Sequence, residues 1–204
     1  MYAASRVALM WDQIASPADP RHVAAVVELA RRAEPGCGDT VVVAIDGRSG
    51  AGKTTLAAGV AQALAALGTV EVVHMDHLYP GWEGLSAAPG LLATTVLEPI
   101  AHGDPAAYPV WSWVRGDWAG TRTVRPSRYL VVEGCGSSVG PAGPYAAVRV
   151  WMEADRPLRF RRGIDRDGET YEPMWELWAA QEEALFEDDR TKARADLVLD
   201  TSTL

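Results

Sequence analysis

The sequence holds only two cysteines in 204 residues, Cys37 and Cys135. Two are too few for a disulfide framework and their separation fits no metal-ligand spacing, so both are expected as reduced thiols. No stretch reaches the 18 or so uninterrupted apolar residues of a membrane-spanning helix, and the first residues lack the basic-then-apolar order of a secretion signal. The expected location is therefore the cytoplasm, with no membrane partner. An excess of positive charge is missing as well. The formal charge of -8 repels polyanions, which argues against nucleic acid as a partner. There are no internal repeats or low-complexity tracts, and no Asn-Lys-x-Asp segment of the guanine-reading kind. None of these features decides whether identical chains form a homo-oligomer.

What is present is the composition of an ordinary globular protein: 48% of residues are hydrophobic and 23% charged. The length suits one compact α/β domain. Pro17, Asp19 and Pro20 precede apolar positions at Val23, Val26, Val27, Leu29 and Ala30. That pattern predicts a short amphipathic helix ending near Pro35-Gly36, within a helical leader over residues 1–38. Thr40 to Ile45 is a β-branched run of the kind that forms a buried parallel strand. The Ala/Leu-rich stretch Leu56 to Leu67 reads as a helix stopping at Gly68.

Further strands are expected at Val70 to Met75, Tyr129 to Val132, Val148 to Met152 and Ala195 to Asp200, and helices at Leu91 to Ile100 and Met174 to Arg194. Tyr108 to Val114 and Thr121 to Val124 read as short strands or a hairpin around Gly116-Asp117. Strands alternating with helices predict a three-layer α/β fold, a mostly parallel sheet flanked by helices. Ligands of such sheets gather at the carboxyl ends of the strands, where Asp46, Asp76 and Glu133 would share one rim.

Between the first strand and the following helix stands Gly47-Arg48-Ser49-Gly50-Ala51-Gly52-Lys53-Thr54. The eight residues match the phosphate-binding loop, or P-loop, in the strand-loop-helix setting that the motif requires. Its glycines let backbone N–H groups turn around phosphate oxygens, and the helix aims its positive end at the same anion. Lys53 can bridge the β- and γ-phosphates, Thr54 can ligate Mg²⁺, and Thr55 and Arg166 complete the expected contacts to ATP. Glu133 closes the run Tyr-Leu-Val-Val-Glu, where a carboxylate can hold Mg²⁺ or its water; capping a strand is the plainer role. Asp46 is expected to order the loop's backbone.

Asp76 is the candidate that accepts or orients the proton of an attacking hydroxyl, with His77 and Tyr79 beside it; a solvated turn residue is the plainer alternative. Arg159, Arg162 and Arg166 follow the i, i+3, i+7 spacing of one helix face. In a lid segment over residues 154–170, such a stripe can neutralise charge on a transferring phosphoryl group. Otherwise it is a solvated face paired with acids such as Asp165. Trp111, Trp113 and Trp118, with Tyr108, could stack on a ring-shaped acceptor or pack a core, whereas Trp175 and Trp178 read as helix packing.

With these residues in place, the chain from about Val41 to Asp200 resembles the uridine kinase-like branch of the P-loop kinases. The resemblance rests on Gly47 to Thr55, on Asp76-His77-Leu78-Tyr79 in place of the family's Asp-x-Phe-Tyr, and on Val131-Val132-Glu133-Gly134. It continues through the Arg-rich Asp155 to Arg166 and Ala195-Asp196-Leu197-Val198. It implies that Asp76 is the base and that the arginine segment belongs to a lid. The family's acceptor segment of the Tyr-Asp-Phe type, followed by His and Arg, is replaced by Trp111-Ser112-Trp113-Val114-Arg115. Ser112 stands at the acidic position and no histidine follows, so ATP and phosphoryl transfer carry over while uridine does not. Trp111, Trp113 and Arg115 are the acceptor candidates there, and no stretch matches the family's long β-hairpin insertion. The expected function is an ATP-dependent kinase for a nucleoside-like or other small hydroxyl acceptor. A sugar, vitamin or nucleotide monophosphate kinase, or a non-kinase ATP-binding switch, are the alternatives.

Overall fold

In a computed structural model the described residues are 17–168 and 171–203. Residues 1–16 of the expected leader and 169–170 of the expected lid segment lie outside them. Five strands, β1 (Val41–Gly47), β2 (Val70–His74), β5 (Tyr129–Glu133), β6 (Ala146–Glu153) and β7 (Leu197–Asp200), form one sheet in the order β2-β5-β1-β6-β7. Every pairing in it is parallel.

The strands alternate their side chains between two cores, as the two-residue period requires. Val41, Val43, Ile45, Val131 and Val150 face Val26 and Ala30 of α1 (Pro20–Arg32) and Leu56, Val60 and Leu64 of α2 (Lys53–Leu64). On the opposite face Val42, Leu130, Val132 and Trp151 meet Leu92, Val96 and Ile100 from the helical run α3 (Ala88–Leu92), a π-turn (Ala93–Leu97) and α4 (Glu98–Ala101). Trp178 and Phe186 of α6 (Trp175–Asp189) join that core. The result is the expected three-layer α/β arrangement. Each fully buried Val or Leu contributes on the order of 1.5–3 kcal/mol, so both faces of β1 and β5 are strongly held.

The last helix departs from the sequence reading. α6 ends at Asp189 because Arg190 adopts φ 53, in the left-handed region, and Thr191–Arg194 is a separate 3-10 turn. The hairpin expected around Gly116-Asp117 is present, with its strands β3 (Ala106–Ser112) and β4 (Asp117–Val124) paired antiparallel as a separate two-stranded sheet. The hairpin contacts β2 and the turn at Met75–His77, which sets it beside the rim of the main sheet. Both cysteines are buried and unpaired. Among the described residues no helix is long and apolar enough to cross a membrane.

Candidate functional site

β1 delivers the loop. Asp46, 1% exposed, turns its carboxylate back on the backbone: Oδ1 accepts from the N–H groups of Gly47 and Gly136, and Oδ2 from the N–H and hydroxyl of Ser138. Burial pushes this carboxyl up, and the four hydrogen bonds oppose the rise. Asp46 thereby ties the start of the loop to the segment after β5, the ordering role expected of it.

The loop turns on glycines. Gly50 has φ 79, and a Cβ there would lie 2.2 Å from the backbone oxygen of Arg159. Only glycine permits this docking of the loop against α5 (Arg156–Asp167). α2 then begins at Lys53 after Gly52, with φ 93 and no side-chain cap, so the amides of its first turn have no competing carboxylate or hydroxyl. A helix start of this kind is suited to an anion.

One cavity of about 670 Å³ opens over the loop. Its walls include Ser49, Gly50, Gly52, Lys53, Thr54 and Thr55 together with Asp76, Glu133, Arg162 and Arg166. Tyr79, Cys135, Trp178, Thr201 and residues 17–20 and 22 of the leader also contribute. Of the three acids expected at this rim, Asp76 and Glu133 line the cavity; β2 stops at His74, so Asp76 is carried not by a strand end but by the 3-10 turn Met75–His77 that follows it.

Lys53 is 8% exposed; its ammonium donates to the carbonyl of Arg48 at 3.0 Å. Burial works against its charge, but Glu182, Glu133 and Asp46 nearby hold its pKa up, so it stays a cation. Glu133, 2% exposed, accepts from the Thr54 hydroxyl at 3.2 and 3.3 Å and lies 2.7 Å from His74 Nδ1. Despite burial, the His74 hydrogen bond and the charges of His74, Lys53 and Arg166 lower its pKa. His74 is correspondingly raised by Glu133 against the opposing effect of burial. Thr54 and Glu133 form a pair of hard oxygen donors. Among the described residues no group of three or more His, Cys, Asp or Glu gathers as a metal cage; a pair of hard oxygens suits a cation of the Mg²⁺ type completed by ligand phosphates.

The hairpin reaches this rim from outside. Trp113 Nε1 donates to the carbonyl of Asp76 at 3.0 Å, so it fixes the backbone that carries Asp76. Its ring packs on Trp82 and Tyr79. Tyr79 is 1% exposed and donates its hydroxyl to the carbonyl of Cys135. His77 sits under Tyr108, 3.4 Å from its hydroxyl, and burial with the charges of Arg122 and His74 pushes its pKa down to about 4.

Several sequence candidates stand elsewhere. Trp111 packs edge-on against Trp118, Arg115 pairs with Asp117 at the hairpin tip, and neither these nor Trp113 and His77 lie on the cavity wall. β3 ends at Ser112, so Trp111 packs within the hairpin on its register partner Trp118, while Trp113 lies in the turn beyond and packs against the core. Arg159, 7% exposed, donates to the carbonyls of Ala154 and Ser49, which makes it a brace of the loop. Arg162 reaches Thr201 and the carbonyl of Gly50.

His74 and Glu182 were not singled out by the sequence. His74 is the register partner of Glu133 across β2 and β5, so a polar residue at the last position of a rim strand was the available signal. Glu182 lies on the buried stripe Trp175, Trp178, Phe186 of α6, a charge inside an apolar face.

No family model and no curated protein matches the sequence. Solved structures do match. A possible uridine kinase from Bacillus stearothermophilus aligns with 88% of this chain and 98% of its own, at 21% identity and a TM-score of 0.67. A candidate fructose transport system kinase from Silicibacter sp. TM1040 aligns with 87% of this chain and 98% of its own, at 22% identity and a TM-score of 0.63. A D-glycerate 3-kinase from Cryptococcus neoformans var. grubii aligns with 88% of this chain and 93% of its own, at 10% identity and a TM-score of 0.53. The chain therefore has the three-layer P-loop fold of these proteins.

Proposed function

We propose that the chain is an ATP-dependent kinase transferring the γ-phosphoryl group to a hydroxyl of a small molecule. The observation that carries this reading is the sharing of one cavity by Lys53, Thr54, Glu133 and Asp76. The uncapped first turn of α2 and the Thr54–Glu133 pair fit a triphosphate with Mg²⁺. Thr54 and Glu133 would hold the metal, which when bound neutralises phosphate charge.

The chain's own groups supply the rest. Loop amides and the Lys53 ammonium bind the phosphates and offset charge at the transferred group. Asp76, on the wall of the same cavity, orients the acceptor hydroxyl and takes its proton. Arg162 and Arg166 flank the phosphate side, while Arg159 holds the loop in shape. Because Arg159 and Arg162 are engaged with the carbonyls of Ser49, Gly50, Ala154 and Thr201, and the cavity wall also carries the uncharged Tyr79, Cys135 and Trp178, a non-phosphorylated acceptor suits the site better than a nucleotide monophosphate. The kinases among the fold relatives support the reaction class. A cytoplasmic location and a small-molecule acceptor, rather than nucleic acid or membrane, belong to the same proposal.

Calorimetric titration with Mg·ATP tests the nucleotide half. The wild type is expected to bind in the micromolar range typical of enzymes, and Lys53→Ala to weaken binding at least tenfold. Equal binding by both would remove the loop from the account.

A further inference from the structure

The residue of the loop most tightly gripped from outside is Ser49. Its N–H donates to Glu182 Oε1 at 2.6 Å, and its carbonyl accepts from Arg159 Nη1 at 3.1 Å. The two contacts come from different helices, Glu182 from α6 and Arg159 from α5. α5 also presents Arg162 and Arg166 to the cavity.

Glu182 is 1% exposed. Besides Ser49, its Oε1 accepts from the Trp178 indole N–H at 3.0 Å and the Cys135 thiol at 3.2 Å. Three donors therefore converge on one oxygen. Burying such a group on an otherwise apolar helix stripe costs several kcal/mol unless it is well partnered, so a purely packing role would be served better by a leucine. The partners it has are the phosphate loop and the segment after β5, which already share Asp46.

We propose that Glu182 is a positioning residue of the phosphate loop, fixing the Ser49 peptide so that α6 and the arginine-bearing α5 move as one body with the loop. It acts through the loop and touches no reacting atom. This rests on the reading of the loop as a nucleotide site, and it extends that reading to a residue 133 positions away.

Two substitutions separate reach from charge. Glu182→Gln keeps an oxygen at the same distance and loses the charge, whereas Glu182→Asp keeps the charge and withdraws the oxygen by one methylene. Hydrogen exchange of the 47–56 backbone in the nucleotide-free protein reads the tether directly, and the dissociation constant for Mg·ATP reads its consequence. Expected are exchange at least tenfold faster and Mg·ATP binding at least tenfold weaker in Glu182→Asp, with both within threefold of wild type in Glu182→Gln. Unchanged loop exchange in Glu182→Asp, or equal losses in the two variants, would overturn the proposal. If the wild type bound no Mg·ATP, the functional reading would fall, and loop exchange would still decide whether Glu182 holds the loop.

Discussion

His74 Nδ1 and Glu133 Oε1 stand 2.7 Å apart, across the register that pairs the last residues of β2 and β5. The contact orients a buried carboxylate whose other neighbour is the Thr54 hydroxyl. A group that holds a metal-ligating carboxylate commonly governs metal affinity by about 10- to 100-fold. His74→Ala is therefore expected to raise the Mg²⁺ concentration for half-maximal activity about tenfold, with Mg·ATP binding restored at high Mg²⁺. A magnesium titration of activity checks it; an unchanged midpoint would remove His74 from the site.

Trp113 acts on Asp76 through the backbone. Trp113→Phe keeps an aromatic ring against Trp82 and Tyr79 but removes the N–H that binds the Asp76 carbonyl. A stability loss of about 1 kcal/mol is expected. Turnover with the acceptor should fall several-fold while Mg·ATP affinity stays the same. Denaturant melts and steady-state kinetics together read both effects.

His77 gives the fold an acid sensitivity. Its pKa is held at about 4, below the ordinary 6.5, chiefly by burial. As pH falls below about 6.5 the unfolded chain takes up a proton that the folded chain refuses until about 4, so stability drops across that window by up to about 3 kcal/mol. Protonation of His74, raised by Glu133, works in the opposite sense. His77→Gln is expected to flatten the fall in urea midpoint between pH 7 and 4.5 relative to wild type. A parallel fall in both proteins would assign the acid sensitivity elsewhere.

The loop and the acidic rim were legible because each is written locally: eight consecutive residues for the loop, and an acid directly after an apolar run for Asp46 and Glu133. The unbroken apolar runs Val41 to Ile45 and Tyr129 to Val132 placed them in the sheet for the same reason. What escaped the sequence is what the sheet order creates. His74 meets Glu133 because β2 neighbours β5, and Glu182 meets Ser49 because α6 folds back over the loop. The tryptophans of the hairpin show the converse: their clustering was visible, but the turn at residues 113–116 decides which ring packs on which neighbour, and it takes Trp111 and Arg115 away from the cavity.

The central claim is that Lys53 and Asp76, which line one cavity, serve one reaction. Coupled ATP consumption with Mg²⁺, across nucleosides, sugars, vitamin alcohols and nucleotides, tests it most directly beside Lys53→Ala and Asp76→Asn. The account predicts one non-phosphorylated acceptor class that accelerates turnover, with Asp76→Asn losing about 10²- to 10⁴-fold in rate while still binding Mg·ATP. Acceptor-stimulated turnover that survives Asp76→Asn, or slow hydrolysis that no acceptor accelerates, would contradict it.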